Sequence, residues 1–165
     1  MRMTRRTTWM LAAAVAAVAG IAIGVWATSS SKRRHHPRGA SELVVTPERD
    51  SAEEVVLRFL VAARTAEVEA GFSAAEALMT LPADSYEARS GRRSAFEVMH
   101  RRIGELLVDD EHQRPTYRID HRDEPAEGML DLYVAMGRGV LPARFSLVRA
   151  APPDGRWRVV SAQTP

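Results

Sequence analysis

The chain is 165 residues long, with 23 basic and 21 acidic side chains and a formal net charge of +2. That balance hides a division: residues 1–40 hold seven basic side chains and no acidic one, while the remainder holds 16 arginines, no lysine and all 21 acidic residues, a charge near −5. The downstream part therefore lacks the basic footprint of a nucleic-acid binder, and the absence of cysteine excludes disulfides, a thiol nucleophile, a Cys-ligated metal and a lipidated cysteine.

In chain order the apolar segment comes first. From Thr7 to Thr28 run 22 uncharged residues, TTWMLAAAVAAVAGIAIGVWAT. As a helix they would rise about 33 Å, close to the roughly 30 Å hydrocarbon core of a bilayer. Trp9 and Trp26 lie near its ends, where indole rings favour the headgroups, and basic clusters lie outside both. This predicts a signal-anchor, or transmembrane helix, within residues 1–28, with membrane lipid as the partner of residues 7–28. Val25-Trp26-Ala27 also offers small residues for a cleavage site after Ala27, so a cleaved signal stays open, although the following SSSKRRHH opposes export. Ala12, Ala16, Gly20 and Gly24 fall four apart in one small-residue stripe. Ala16, Gly20 and Gly24 are its candidate span-packing positions, through which two copies could self-associate. The flanking charges nearly tie and do not orient the span.

Residues 29–46 read as a basic polar linker suited to anionic headgroups. His35 and His36 could bind a metal, but no further ligand lies nearby. Residues 47–165 then read as one α+β domain. Thr46-Pro47 or Ser51 opens a first helix, Ser51 with Glu54 fitting a capping box; its apolar face is Val56, Phe59, Leu60 and Ala63, with Gly71 as its stop. Ser73 with Glu76 fits a second box, opening a short helix that Pro82 breaks. Ser94 with Glu97 fits a third, opening a helix with Phe96, Met99, Ile103, Leu106 and Leu107 toward the core.

After Pro115 the period changes to two. Tyr117 and Ile119, then Leu130, Leu132 and Val134, then Ala143, Phe145 and Leu147, then Trp157 and Val159 alternate with polar or small neighbours. Turn residues at Pro125–Gly128, Gly137–Gly139 and Pro152–Gly155 separate the runs. The expectation is about three helices packed on one face of a curved antiparallel sheet of about four strands.

The order of elements carries a resemblance. A first helix SAEEVVLRFLVAARTAE, a short second one GFSAAEALMTL, and a closing pair of strands ARFSLVRAAPPDGRWRVVSAQ span residues 48–164. In these features the domain resembles the nuclear transport factor 2-like superfamily of cone-shaped, ketosteroid-isomerase-like domains, particularly its small membrane-anchored bacterial members. The resemblance implies a cone that holds a small molecule in some members. In isomerase-like members it implies an Asp base with a Tyr/Asp donor pair.

Here the residues available for such roles are Tyr86, Tyr117, Asp120, Asp131 and Tyr133. Alternation turns Asp120 and Asp131 away from the core side of Ile119 and Leu130, and nothing suggests a buried carboxylate of raised pKa. His100 reads as a half-buried packing or capping residue, Asp109 to His112 as a solvated connection, and His121, Asp123 and Glu124 as part of a hairpin turn. No catalytic, cofactor-binding or metal-ligating residue is assigned, and no cofactor is expected. Phe59, Tyr117, Leu132, Val134, Phe145 and Trp157 are the candidate cone-lining or core positions, with Trp157 anchoring the sheet against the first helix. The expected function is a membrane-tethered, non-catalytic interaction or assembly module of the bacterial cell envelope. It would sit in the inner membrane as a single-pass protein, its C-terminal domain outside the cytoplasm, with itself or another envelope protein as partner. The alternatives are a small-ligand-binding cone and an isomerase-like enzyme.

Overall fold

The computed structural model describes residues 41–80 and 86–165. The apolar run with Trp9, Trp26, Ala16, Gly20 and Gly24, the residues His35 and His36, and Pro82 lie outside the described residues. Among those described, no helix is long and apolar enough to cross a membrane.

The first element is a strand, β1 (Glu42–Val44), within residues assigned above to the linker. It forms because Val44 has a buried place against the long strand β3 (Pro115–Ala126), with Glu42 opposite Ile119 and Val44 opposite Tyr117.

Helix α1 (Ala52–Ala63) starts as its capping residues require: Ser51 Oγ accepts the Glu54 N–H at 3.1 Å. The Glu54 carboxylate reaches back to the N–H of Asp50 at 2.6 Å, one residue beyond the usual box partner. Val55, Val56, Phe59, Leu60 and Ala63 are buried. The helix ends at Arg64, whose N–H closes on the carbonyls of Leu60 and Val61, well before Gly71.

Gly71 lies inside α2 (Val68–Glu76) and serves close packing, not termination. A Cβ there would stand 2.5 Å from the Ala62 carbonyl oxygen and 3.3 Å from the Phe96 ring. The second and third capping boxes are also displaced. Ser73 is interior to α2, and Ser94 and Glu97 are interior to α3 (Tyr86–Arg101). In both places the glutamate serves an ion pair instead: Glu76 with Arg89 at 3.1 Å, Glu97 with Arg93 at 3.3 Å. A short α4 (Ile103–Leu106) follows, burying Leu106 and leaving Ile103 partly covered.

Strand β2 (Val108–Asp109) pairs with the start of β3, and β4 (Met129–Val134), β5 (Ala143–Arg149) and β6 (Trp157–Gln163) complete the sheet. Its order is β1-β3-β4-β5-β6, antiparallel throughout, with β2 beside β3. The described residues thus form an α+β domain of four helices and a sheet of six strands. The two added strands are three residues and two residues long, too short for an alternation to reveal.

The β3–β4 turn is tighter than read from the sequence. Glu127 and Gly128 make it, Gly128 at φ 72°, so His121, Asp123 and Glu124 are strand residues. Between Ile119 and His121 the register shifts by a bulge. Upstream of it Tyr117 and Ile119 are buried; downstream, Arg122 takes the position opposite the buried Leu132, and His121 falls opposite Tyr133.

The core lies between α1–α3 and one face of the sheet. Phe59 meets Phe145 edge-on at 5.7 Å and Phe96 at 6.1 Å, and Phe96 meets Phe72 at 5.6 Å. Such aromatic contacts add to the area that burial removes from water.

Candidate functional site

Five of the six expected interior residues converge. Phe59, Tyr117, Leu132, Val134 and Phe145 come from α1, β3, β4 and β5 and are 0–3% exposed, so their side chains fill the space between sheet and helices. The Tyr117 hydroxyl donates to the Glu53 carbonyl oxygen at 3.0 Å, satisfying the one polar atom this aromatic brings inside. Burial, reinforced by the nearby Glu53 carboxylate, pushes the phenol well above its ordinary pKa. A group with a raised folded pKa gives its full stabilisation below the unfolded value and loses it as pH rises. The tyrosine contribution is therefore complete below about pH 10 and fades above it. Tyr117→Phe should cost about 1 kcal/mol at neutral pH and flatten the alkaline arm of a Tm-against-pH curve. An unchanged alkaline arm would remove Tyr117 as its source.

Trp157, the sixth, packs on the margin of the core and is only partly buried. It stands opposite Arg149 on β5 and beside Glu48 to Ser51, which lead into α1. Together with Arg149, Asp154 and Arg156 these residues line an open cleft of about 570 Å³. Its charges offset one another: Arg156 Nε lies 3.5 Å from Asp154 and 3.9 Å from Asp50.

A smaller groove of about 200 Å³ is apolar. Phe72 and Met79, Phe96 and Met99, and Val160 to Gln163 of β6 line it, with Phe59 and Arg92 also on its wall. Arg92 Nη2 stands 3.7 Å from Glu76, whose carboxylate Arg89 also holds. Pockets for drug-sized molecules run to about 300–1,000 Å³, so this groove has room for a fragment.

The sheet face opposite Leu130 and Leu132 carries polar groups in register. His121 stacks on Tyr133, ring centroids 3.8 Å apart, and its Nδ1 lies 2.9 Å from Asp120 Oδ2. Nδ1 is thus the ring nitrogen that faces the carboxylate. Across β4 and β5, Arg144 donates to Asp131 at 2.6 Å. Asp131 does leave the core side, as alternation expected, yet it is only 6% exposed. This is an ion pair that fixes two strands, with Asp123 directly opposite Asp131.

Of the remaining residues singled out by sequence, His100 Nδ1 donates to the Ala63 carbonyl at 2.8 Å, closing the C-terminal end of α1. Asp110 accepts N–H groups of His112 and Arg114 and the Arg114 Nε, so it shapes the turn from β2 to β3. Those backbone and side-chain bonds hold its carboxyl below the ordinary value. Tyr86 is 86% exposed at the start of α3. Among the described residues no three His, Asp or Glu side chains are placed to hold a metal ion. Arg122 was not singled out: it bonds Glu42 of β1 at 2.7 Å and Glu53 of α1 at 3.1 Å. Only the bulge turns it inward, and plain alternation conceals that.

No family model, curated protein or solved structure matches this chain.

Proposed function

We propose that this chain is a membrane-tethered, non-catalytic interaction or assembly module of the bacterial cell envelope. In this reading residues 7–28 anchor it in the inner membrane, a basic linker follows, and a domain of the nuclear transport factor 2-like kind works outside the cytoplasm. The observation that carries the reading is the filled interior. Phe59, Tyr117, Leu132, Val134 and Phe145 occupy the space where a ligand-binding cone would be open. The His121–Tyr133 stack and the exposed Arg144, held by Asp131, offer the surface fixed polar groups that suit recognition.

Photo-cross-linking of the full chain in intact cells tests this, with the probe placed in turn at exposed Leu43, Tyr86 and Arg144. Discrete protein adducts from one of these faces are expected. Adducts from none, together with a small molecule retained in native mass spectrometry, would overturn it in favour of the second reading. That reading is a small-ligand-binding domain, and the apolar groove beside Phe72, Met79 and Phe96 favours it. An isomerase-like enzyme is the weaker alternative. A reporter fused at Pro165 decides the side of the membrane.

A further inference from the structure

Loops of a folded domain are polar by default, because apolar side chains left in water gain nothing there. The β4–β5 loop departs from that. It reads AMGRGVLP from Ala135 to Pro142, and at its tip Val140 and Leu141 are consecutive and 38% and 69% exposed. The tip is a built turn: the Val140 N–H bonds the Gly137 carbonyl at 3.2 Å, and Gly139 takes φ 78°. Arg138 stands beside it, also exposed.

The sheet register puts two further exposed apolar residues at the same end. Ala135, where the loop begins, donates to the Arg118 carbonyl, and Arg118 lies opposite Leu43 of β1, 44% exposed. Two residues nearer the start of β3, Thr116 lies opposite Val108, 51% exposed. In the adjoining turn Asp109 is matched by Arg64 at 2.6 Å and Asp110 by Arg114 at 2.7 Å, while Glu111 points to solvent beside His112. One edge of the domain thus combines apolar tips with arginines, the pattern that favours the interfacial layer of a bilayer.

We infer that the Gly137–Pro142 loop, flanked by Leu43 and Val108, docks onto the surface of a lipid bilayer. This rests on the proposed membrane anchor. Between Thr28 and Glu42 the chain has 13 residues, at most about 45 Å when fully extended. An anchored domain therefore stays within reach of its own bilayer, and the local concentration of lipid surface makes a shallow contact effective.

The test uses the full chain in vesicles of phosphatidylcholine with a minority of phosphatidylglycerol. The chain has no cysteine, so single replacements Leu141→Cys, Tyr86→Cys and Ala16→Cys each accept one environment-sensitive dye. The expected result is a blue-shifted emission at 141, quenched by lipids spin-labelled near the headgroup, with the dye at 86 remaining aqueous. Val140→Asp in the Leu141→Cys background should return the emission toward the aqueous value. An aqueous dye at 141 beside a lipid-buried dye at 16 overturns the loop contact and leaves the anchor standing. Aqueous dyes at both positions overturn the two together.

Discussion

Replacing Phe145 by alanine is expected to lower the unfolding free energy by about 3–5 kcal/mol, the usual cost of truncating a buried phenylalanine. Phe145 has no exposed surface, sits on β5 between Leu132 of β4 and Ala162 of β6, and meets Phe59 of α1 edge-on. Its ring is the contact through which the middle of the sheet holds the first helix. Neighbours on two strands and a helix cannot all collapse into the space it leaves, so the cavity term adds to the lost transfer energy. Urea unfolding followed by far-ultraviolet circular dichroism measures it. A loss within about 0.5 kcal/mol, the range of ordinary surface substitutions, would contradict a packed interior and with it the reason for favouring an assembly module.

The second large effect concerns sign. In a helix interior, alanine is normally better than glycine by about 0.5–1 kcal/mol. Gly71→Ala should do the reverse and destabilise by about 1–3 kcal/mol, as overpacking does. The added Cβ would meet the Ala62 carbonyl oxygen at 2.5 Å, a backbone atom of α1 that cannot swing aside. Gly91 supplies the matched control, because a Cβ at this exposed position of α3 meets nothing within 4 Å. Gly91→Ala should therefore stabilise by about 0.5–1 kcal/mol. Thermal melts of the two variants moving in the same direction would show that α1 and α2 are not packed as closely as described.

How much of this was legible in the sequence depended on the kind of signal. Strand alternation was informative because a buried face punishes every exception: Ile119, Leu132, Val134, Phe145 and Val159 all fell inside. Capping boxes were informative once in three. Ser51 caps α1, but Ser73 and Ser94 share its spacing to a glutamate while sitting inside helices. A Ser-x-x-Glu pattern also suits helix interiors whose glutamate pairs with arginine, as at Glu76 and Glu97. Gly71 illustrates the same ambiguity: a glycine marks either a turn or a close approach, and only the neighbouring helix tells which. Strand β1 was hidden because its partner β3 lies far along the chain, and the bulge at Asp120 because alternation does not record a shift of register between paired strands. The polar face was legible in part: alternation alone turned Asp131 outward, whereas the shift that sets His121 opposite Tyr133 leaves no mark in the pattern. The interior residues were the opposite case, named by pattern and brought together by the fold.

Arg122 has a mechanical consequence. The chain upstream of Ser41 enters the domain through a three-residue strand, a weak handle if backbone hydrogen bonds alone held it. Glu42, its first residue, is gripped by Arg122, and the same guanidinium grips Glu53 near the start of α1. A pull arriving along the upstream chain is thus shared with a helix packed on the core before it can peel β1 from β3. The grip is electrostatic and partly exposed, so dissolved salt would soften it.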